Sequence, residues 1–199
     1  MKINSIFKDF ATLLEERLYA DIFTTEDSVR YTFFHALLSG GFCNHTEITL
    51  ELPHPTIAKA KIDLFIQPSD QRPSSAFEFK YDRPIPSKKN APRTQKAGAV
   101  FKDLFRLARI PVETASIRVL IYLASQEMQD YFSNPNNGLS AFYNQAIGNP
   151  YQVTSDMMTS KASTFRSVVE DWFTPISVTC LYRRDLSRQH AMRIFQVET

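Results

Sequence analysis

The run Ser116-Ile117-Arg118-Val119-Leu120-Ile121-Tyr122-Leu123-Ala124 constrains the fold of this chain more than any other stretch. Its apolar residues are nearly continuous instead of alternating, which marks a strand buried on both faces. Such a strand lies inside a sheet and is reached from a parallel neighbour through a helical crossover. Residues 94–109 supply a candidate crossover, because Phe101, Leu104, Phe105 and Ala108 form a core stripe at helical spacing and Pro111 ends the pattern. Gln95, Lys102, Arg106 and Arg109 fall on the other faces of this helix. Gly98 in mid-helix costs about 1 kcal/mol relative to alanine, so it points to close packing against a neighbour.

Three shorter strands precede the crossover. Glu47–Leu52 alternates and ends at Pro53, with Ile48, Leu50 and Leu52 packing inward and Glu51 either facing solvent or, if this strand neighbours the one that carries Asp63, lying near it. Lys61–Ile66 and Ala76–Tyr81 follow, joined by a polar segment with two prolines and no apolar face. Ile62, Leu64 and Ile66 form the apolar set of the first of these, and Asp63 opposes it. In the second, Phe77, Phe79 and Tyr81 share one face while Glu78 and Lys80 share the other. Helices over residues 4–20 and from Thr24 to Gly40-Gly41 come before the strands, the second capped by Thr24 with Asp27 three residues on. These elements predict an α/β domain with a mixed central β-sheet flanked by helices.

If the strands carrying Asp63 and Glu78 pair in register, two carboxylates and an ammonium converge on one patch. Like charges side by side disfavour ionisation, so the patch calls for compensation. A divalent cation held by Asp63 and Glu78 provides it, and Lys80 is then placed to orient or help deprotonate a water.

Asp63, followed across one loop by Glu78-Phe79-Lys80, resembles the Asp…Glu-x-Lys signature of the PD-(D/E)XK nuclease superfamily, with Ile62 in place of the proline before the aspartate. The element order from residue 24 to 124 is also similar to that family's restriction-endonuclease-like core. The resemblance implies metal-dependent hydrolysis of DNA phosphodiester bonds with Mg2+ or Mn2+. Asp63 and Glu78 would be metal ligands and Lys80 a catalytic group. Many relatives carry a further glutamate on the helix before the sheet, and Glu26 is the candidate here, with Asp27 as the alternative. Glu26 is equally explained by the helix dipole and an ion pair with Arg30. Gln95 corresponds by position to a glutamine or lysine that many of these nucleases place beside the active site. DNA is the implied partner, and a duplex cutter of this size is often a homodimer.

The segment 82–93 carries three prolines and four basic residues, a stiff basic loop leaving the sheet beside the candidate site. Lys88, Lys89 and Arg93, with Lys96 on the helix that follows, are the candidate phosphate contacts. Residues 127–132 and 139–172 read as helical with an interruption at Asn149-Pro150. Ile176–Tyr182 and Met192–Val197 read as strands around a charged turn, whose Arg183, Arg184, Arg188 and Arg193 either touch nucleic acid or protect a sheet edge. Trp172 reads as a core or helix-packing residue.

Composition narrows the class further. A chain of 199 residues with 43% hydrophobic content can bury one core, so residues 1–199 read as a single domain with an extension over 125–199. A net charge of +2 permits nucleic-acid binding without arguing for it. Cys43 and Cys180 are isolated, and His35, His45 and His54 have no metal-ligand spacing. No apolar run approaches the ~20 residues that cross a bilayer, and charges interrupt any signal-peptide pattern, so a cytoplasmic protein is expected. The absence of a glycine-rich loop ending in Gly-Lys-Ser/Thr speaks against a nucleotide hydrolase. The alternative reading is a nucleic-acid-binding or protein-interaction module that keeps the fold without catalysis.

Overall fold

The computed structural model describes residues 3–83, 92–186 and 189–199. Helices α1 (Ile3–Tyr19) and α2 (Glu26–Ser39) lead into strands β1 (Ile48–Pro53), β2 (Lys61–Ile66) and β3 (Ser75–Asp82). Helix α3 (Arg93–Ala108) then crosses over to β4 (Ile117–Ser125). The remainder comprises α4 (Gln126–Ser133), α5 (Ser140–Tyr143), β5 (Pro150–Val153), α6 (Ser155–Thr159), α7 (Ser163–Val169), β6 (Ile176–Leu186) and β7 (His190–Glu198). The strands form one seven-stranded sheet in the order β1-β2-β3-β4-β7-β6-β5. Among the described residues, β3 and β4 pair in parallel and every other strand pair is antiparallel. The expected mixed sheet flanked by helices is therefore present.

β4 sits at the middle because both its faces are covered. Val119, Ile121 and Leu123 pack with Phe7, Phe10 and Phe33 of α1 and α2. Leu120, Tyr122 and Ala124 pack with Phe101 and Phe105 of α3 and with Phe132 and Phe142 beyond it. Gly98 lets α3 approach α7: a Cβ there would lie 3.0 Å from the Val168 Cβ and 3.1 Å from the Phe165 carbonyl oxygen. Among the described residues, no helix is long and apolar enough to cross a membrane.

Several elements depart from the sequence reading. Ile62 does not share a face with Leu64 and Ile66: it joins Phe65 under α3, while they pack beneath α1 and α2. β1 turns over in the same way, since Leu52 packs under α3 and Ile48 and Leu50 on the opposite side. In β1 the break falls at Glu51, whose φ of 54° interrupts the period-two alternation, between the Leu50↔Leu64 and Leu52↔Ile62 pairs and so across from Asp63 in β2. The cap of α2 is Thr25, whose hydroxyl accepts the Ser28 amide while the Ser28 hydroxyl accepts the Thr25 amide. Thr24 instead accepts Arg17 Nε at 3.2 Å. Residues 150–153, expected to resume a helix after an interruption at Asn149-Pro150, instead form the edge strand β5 on β6. Proline is tolerated there because an edge strand leaves amides unpaired on one side.

Candidate active site at the parting of two strands

The candidate site lies where β2 and β3 separate. Their ladder runs from Ile66↔Ser75 to Leu64↔Phe77 and stops. One step further, the Asp63 carboxylate accepts the Phe79 amide at 2.8 Å, so a side chain satisfies the donor a strand would have paired. Glu78 lies between Phe77 and Phe79 on the opposite face of β3, turned toward α3 and only 2% exposed. Lys80 follows on that face, as the alternation predicts.

α2 approaches from the other side and delivers its first residue. Glu26 Oε2 accepts the Tyr81 amide at 3.1 Å and lies 3.5 Å from Lys80 Nζ. Of the two acids considered for this role, the structure brings in Glu26. Asp27 binds Arg30 at 2.5 Å, so the expected Glu26–Arg30 pair is replaced by an i,i+3 pair. Arg30 is buried and reaches 3.7 Å from both Glu51 and Asp63. Glu51 is thus exposed, as expected, yet tied to Arg30 and to Lys61 at 2.6 Å.

α3 contributes two charged residues that the sequence reading assigned no role. Arg106 Nη2 lies 3.3 Å from Glu78 Oε1, Nη1 donates to Asp103 at 3.2 Å, and Nη2 also donates to the Lys61 carbonyl at 2.7 Å. Asp103 is buried beside Lys80 and Arg106. The available signal was its position: Asp103 falls on the line of Val100 and Leu107, where an apolar residue belongs, and buried acids persist only when paired.

The electrostatics follow from burial. The Glu78 carboxyl is pushed well above the ordinary range, first by desolvation and then by the neighbouring Asp63, with Arg106 opposing. Asp103 is pushed up to about 6 by burial, against the pull of Lys80 and Arg106. For Lys80, burial works to lower the pKa, but Asp103, Glu26 and Asp82 outweigh it and the net shift is upward. In this surrounding Lys80 is an ammonium, suited to donating hydrogen bonds and offsetting negative charge, and less suited to taking a proton from water.

The remaining predicted residues lie further out. Gln95 is exposed on the first turn of α3 and shares a groove of about 440 Å3 with Lys80, Tyr81 and Arg83. Lys96 reaches 3.4 Å from Asp82 and donates to the Arg83 carbonyl, so it anchors the end of β3. Arg93 is exposed at the start of α3, while Lys88, Lys89 and Arg188 lie outside the described residues. Arg184 pairs with Glu15, and buried Arg193 pairs with Asp185 at 3.1 Å, so both are engaged within the fold.

Among the described residues, no three His, Cys, Asp or Glu side chains are grouped to hold a metal ion by themselves. The donor set nonetheless fits Mg2+, which is commonly held by one or two carboxylates with water and substrate phosphate completing the shell. Glu78 Oε1 is buried and makes no hydrogen bond, and Asp63 adjoins the same carboxylate. Such a pair of acids gains most from a cation.

Comparison of the chain with family models, with curated proteins and with solved structures finds no match.

Proposed function

We propose that this protein hydrolyses phosphodiester bonds in DNA with Mg2+ or Mn2+, as a PD-(D/E)XK-type endonuclease. The observation that carries the reading is the break in the β2–β3 ladder. It sets Asp63 beside Glu78, whose buried oxygen makes no hydrogen bond, and leaves Lys80 and Glu26 at the opening. Structural ion pairs alone do not require a carboxylate to displace strand pairing next to a second, buried carboxylate.

In this reading Asp63 and Glu78 hold the cation, which when bound lowers the pKa of water and neutralises charge on the phosphoryl oxygens. The Lys80 ammonium offsets negative charge developing at phosphorus. Glu26 holds Lys80 in place and, through the Tyr81 amide, fixes the helix to the strand that carries it. Asp103 and Arg106 support the same groups from α3, with Asp103 behind Lys80 and Arg106 behind Glu78. Phe79, between the two functional residues of β3, packs into the core and keeps the strand from turning over.

One observation favours the second reading, a DNA-binding module on the same fold. Arg106 already lies 3.3 Å from Glu78 and supplies a positive charge without a metal. Incubation of supercoiled plasmid and linear duplex DNA with the protein in Mg2+, Mn2+ or EDTA separates the two. Nicking or linearisation that needs the metal supports hydrolysis, whereas binding without cutting in any metal supports the module.

A further inference from the structure

Helix α3 presents one stripe along the whole candidate site. Gln95, Ala99, Lys102 and Arg106 recur at i, i+4, i+7 and i+11 and so lie on one face. α3 runs antiparallel to β3, since Lys96 meets Asp82 at one end and Arg106 meets Glu78 at the other. A groove opens at each end of the stripe. Beside Lys80, about 440 Å3 lies between the end of β3 and Gln95 and Ala99. Beside Asp63, about 490 Å3 lies between the hairpin loop 57–61, Lys102, Arg106 and Trp172. At about 1.5 Å per residue the stripe is about 16 Å long, close to five nucleotide steps of a duplex strand at about 3.4 Å each.

The groove beside Asp63 is lined by four cations, Lys59, Lys61, Lys102 and Arg106. Lys61 and Arg106 are engaged by Glu51 and Glu78. Lys59 and Lys102 line the same groove and have no carboxylate partner among the described residues. Lys102 is nevertheless held in place, with its ammonium 4.7 Å from the Trp172 ring centre. Lys59 is exposed at the tip of the hairpin loop, where a φ of 62° turns the chain. Trp172, expected only to pack, therefore also forms a wall of the groove and positions a cation.

We infer that the groove formed by the 57–61 loop, α3 and Trp172 is a track for the phosphate backbone of a polynucleotide, with Lys59 and Lys102 as its phosphate contacts. The inference rests on the reading of the site as a nuclease for the identity of the polymer, and it names where the strand enters. The strand runs along α3, past Asp63 and Lys80, and leaves toward Arg83 and Lys96.

The test is binding of the full chain to a labelled duplex of about 20 base pairs, and to one of its strands alone, in EDTA across salt from roughly 50 to 300 mM. Lys59→Gln and Lys102→Gln are compared with Lys8→Gln on α1, and thermal melting confirms that each variant folds. Each groove variant is expected to lower the slope of log affinity against log salt by about 0.9 for duplex or about 0.7 for single strand, and Lys8→Gln to leave it unchanged. Unchanged slopes in the Lys59→Gln, Lys102→Gln double variant, or no binding of either DNA at about 50 mM salt, would overturn the track. A reduced slope in a protein that cuts no DNA keeps the track and removes the nuclease. Metal-dependent cutting with an unchanged slope does the reverse.

Discussion

Asp63 accepts the backbone amide of Phe79 at 2.8 Å, so a side chain occupies the place of a strand partner. That bond stands where the β2–β3 ladder stops at Leu64↔Phe77, beside Glu78 and Lys80. A carboxylate that replaces a ladder bond is fixed in position by the sheet, which is the preorganisation that a site for charged groups requires.

Lys80→Ala is expected to lower DNA cleavage by about 100-fold or more, the usual effect of removing a donor that stabilises developing charge. Affinity for DNA in EDTA is expected to change little, because Lys80 is surrounded by Glu26, Asp82 and Asp103 and offers little net charge to a distant phosphate. Single-turnover cleavage and fluorescence anisotropy measure the two quantities. Parallel losses in both would assign Lys80 to binding.

Asp103→Asn is expected to flatten the pH dependence of stability in metal-free protein. Burial raises the Asp103 carboxyl from 3.8 to about 6, so the folded state holds the proton where the unfolded state has released it. Stability from this group is therefore complete below about pH 4 and is lost as pH rises through about 6, by up to roughly 3 kcal/mol. Glu78 is shifted in the same direction and leaves a residual slope in the variant. Urea unfolding at intervals from acid to neutral pH checks this, and an unaltered slope in Asp103→Asn would count against it.

Most of the sheet and the placement of Glu78 and Lys80 on one strand were legible in the sequence, because each rests on a local pattern. The apolar run at 117–124, the alternation of Phe77 to Tyr81 and the clash of Gly98 with helix propensity all survive folding unchanged. The turn-over of β1 did not show, since it falls at Glu51, whose positive φ breaks the alternation, and β2 turns over at the position across from it. β5 was hidden for a related reason: its four residues are extended only because β6 pairs with them. Arg30 reads only as an ion-pair partner for Glu26 and Arg106 only as a residue off the core stripe of its helix, and it is the three-dimensional placement of Asp63 and Glu78 that brings these arginines to them.

Gly98→Ala is expected to destabilise the protein even though alanine favours a helix by about 1 kcal/mol. The new methyl would meet the Val168 Cβ at 3.0 Å and the Phe165 carbonyl at 3.1 Å, and neither atom is at the end of a flexible side chain. Overpacking of this kind costs about 1–3 kcal/mol, so a net loss of up to about 2 kcal/mol is expected in chemical denaturation. A gain in stability would show that α7 yields.

Arg106→Gln removes the cation beside Glu78 and Asp103 and is expected to cost about 3 kcal/mol, since breaking a buried ion pair strands the remaining charge. Mn2+ is expected to raise the melting temperature of this variant by more than it raises that of the wild type, because the ion replaces the lost charge. Equal shifts in both would place the metal elsewhere.

The central claim is that Asp63 and Glu78 together bind a divalent cation, and calorimetric titration of the metal-free protein with Mn2+ tests it most directly. The account predicts one ion per chain, with proton release as the raised Glu78 carboxyl ionises, and loss of the signal in Asp63→Ala and Glu78→Gln. No heat of binding in the wild type, or binding that survives both substitutions, would contradict it.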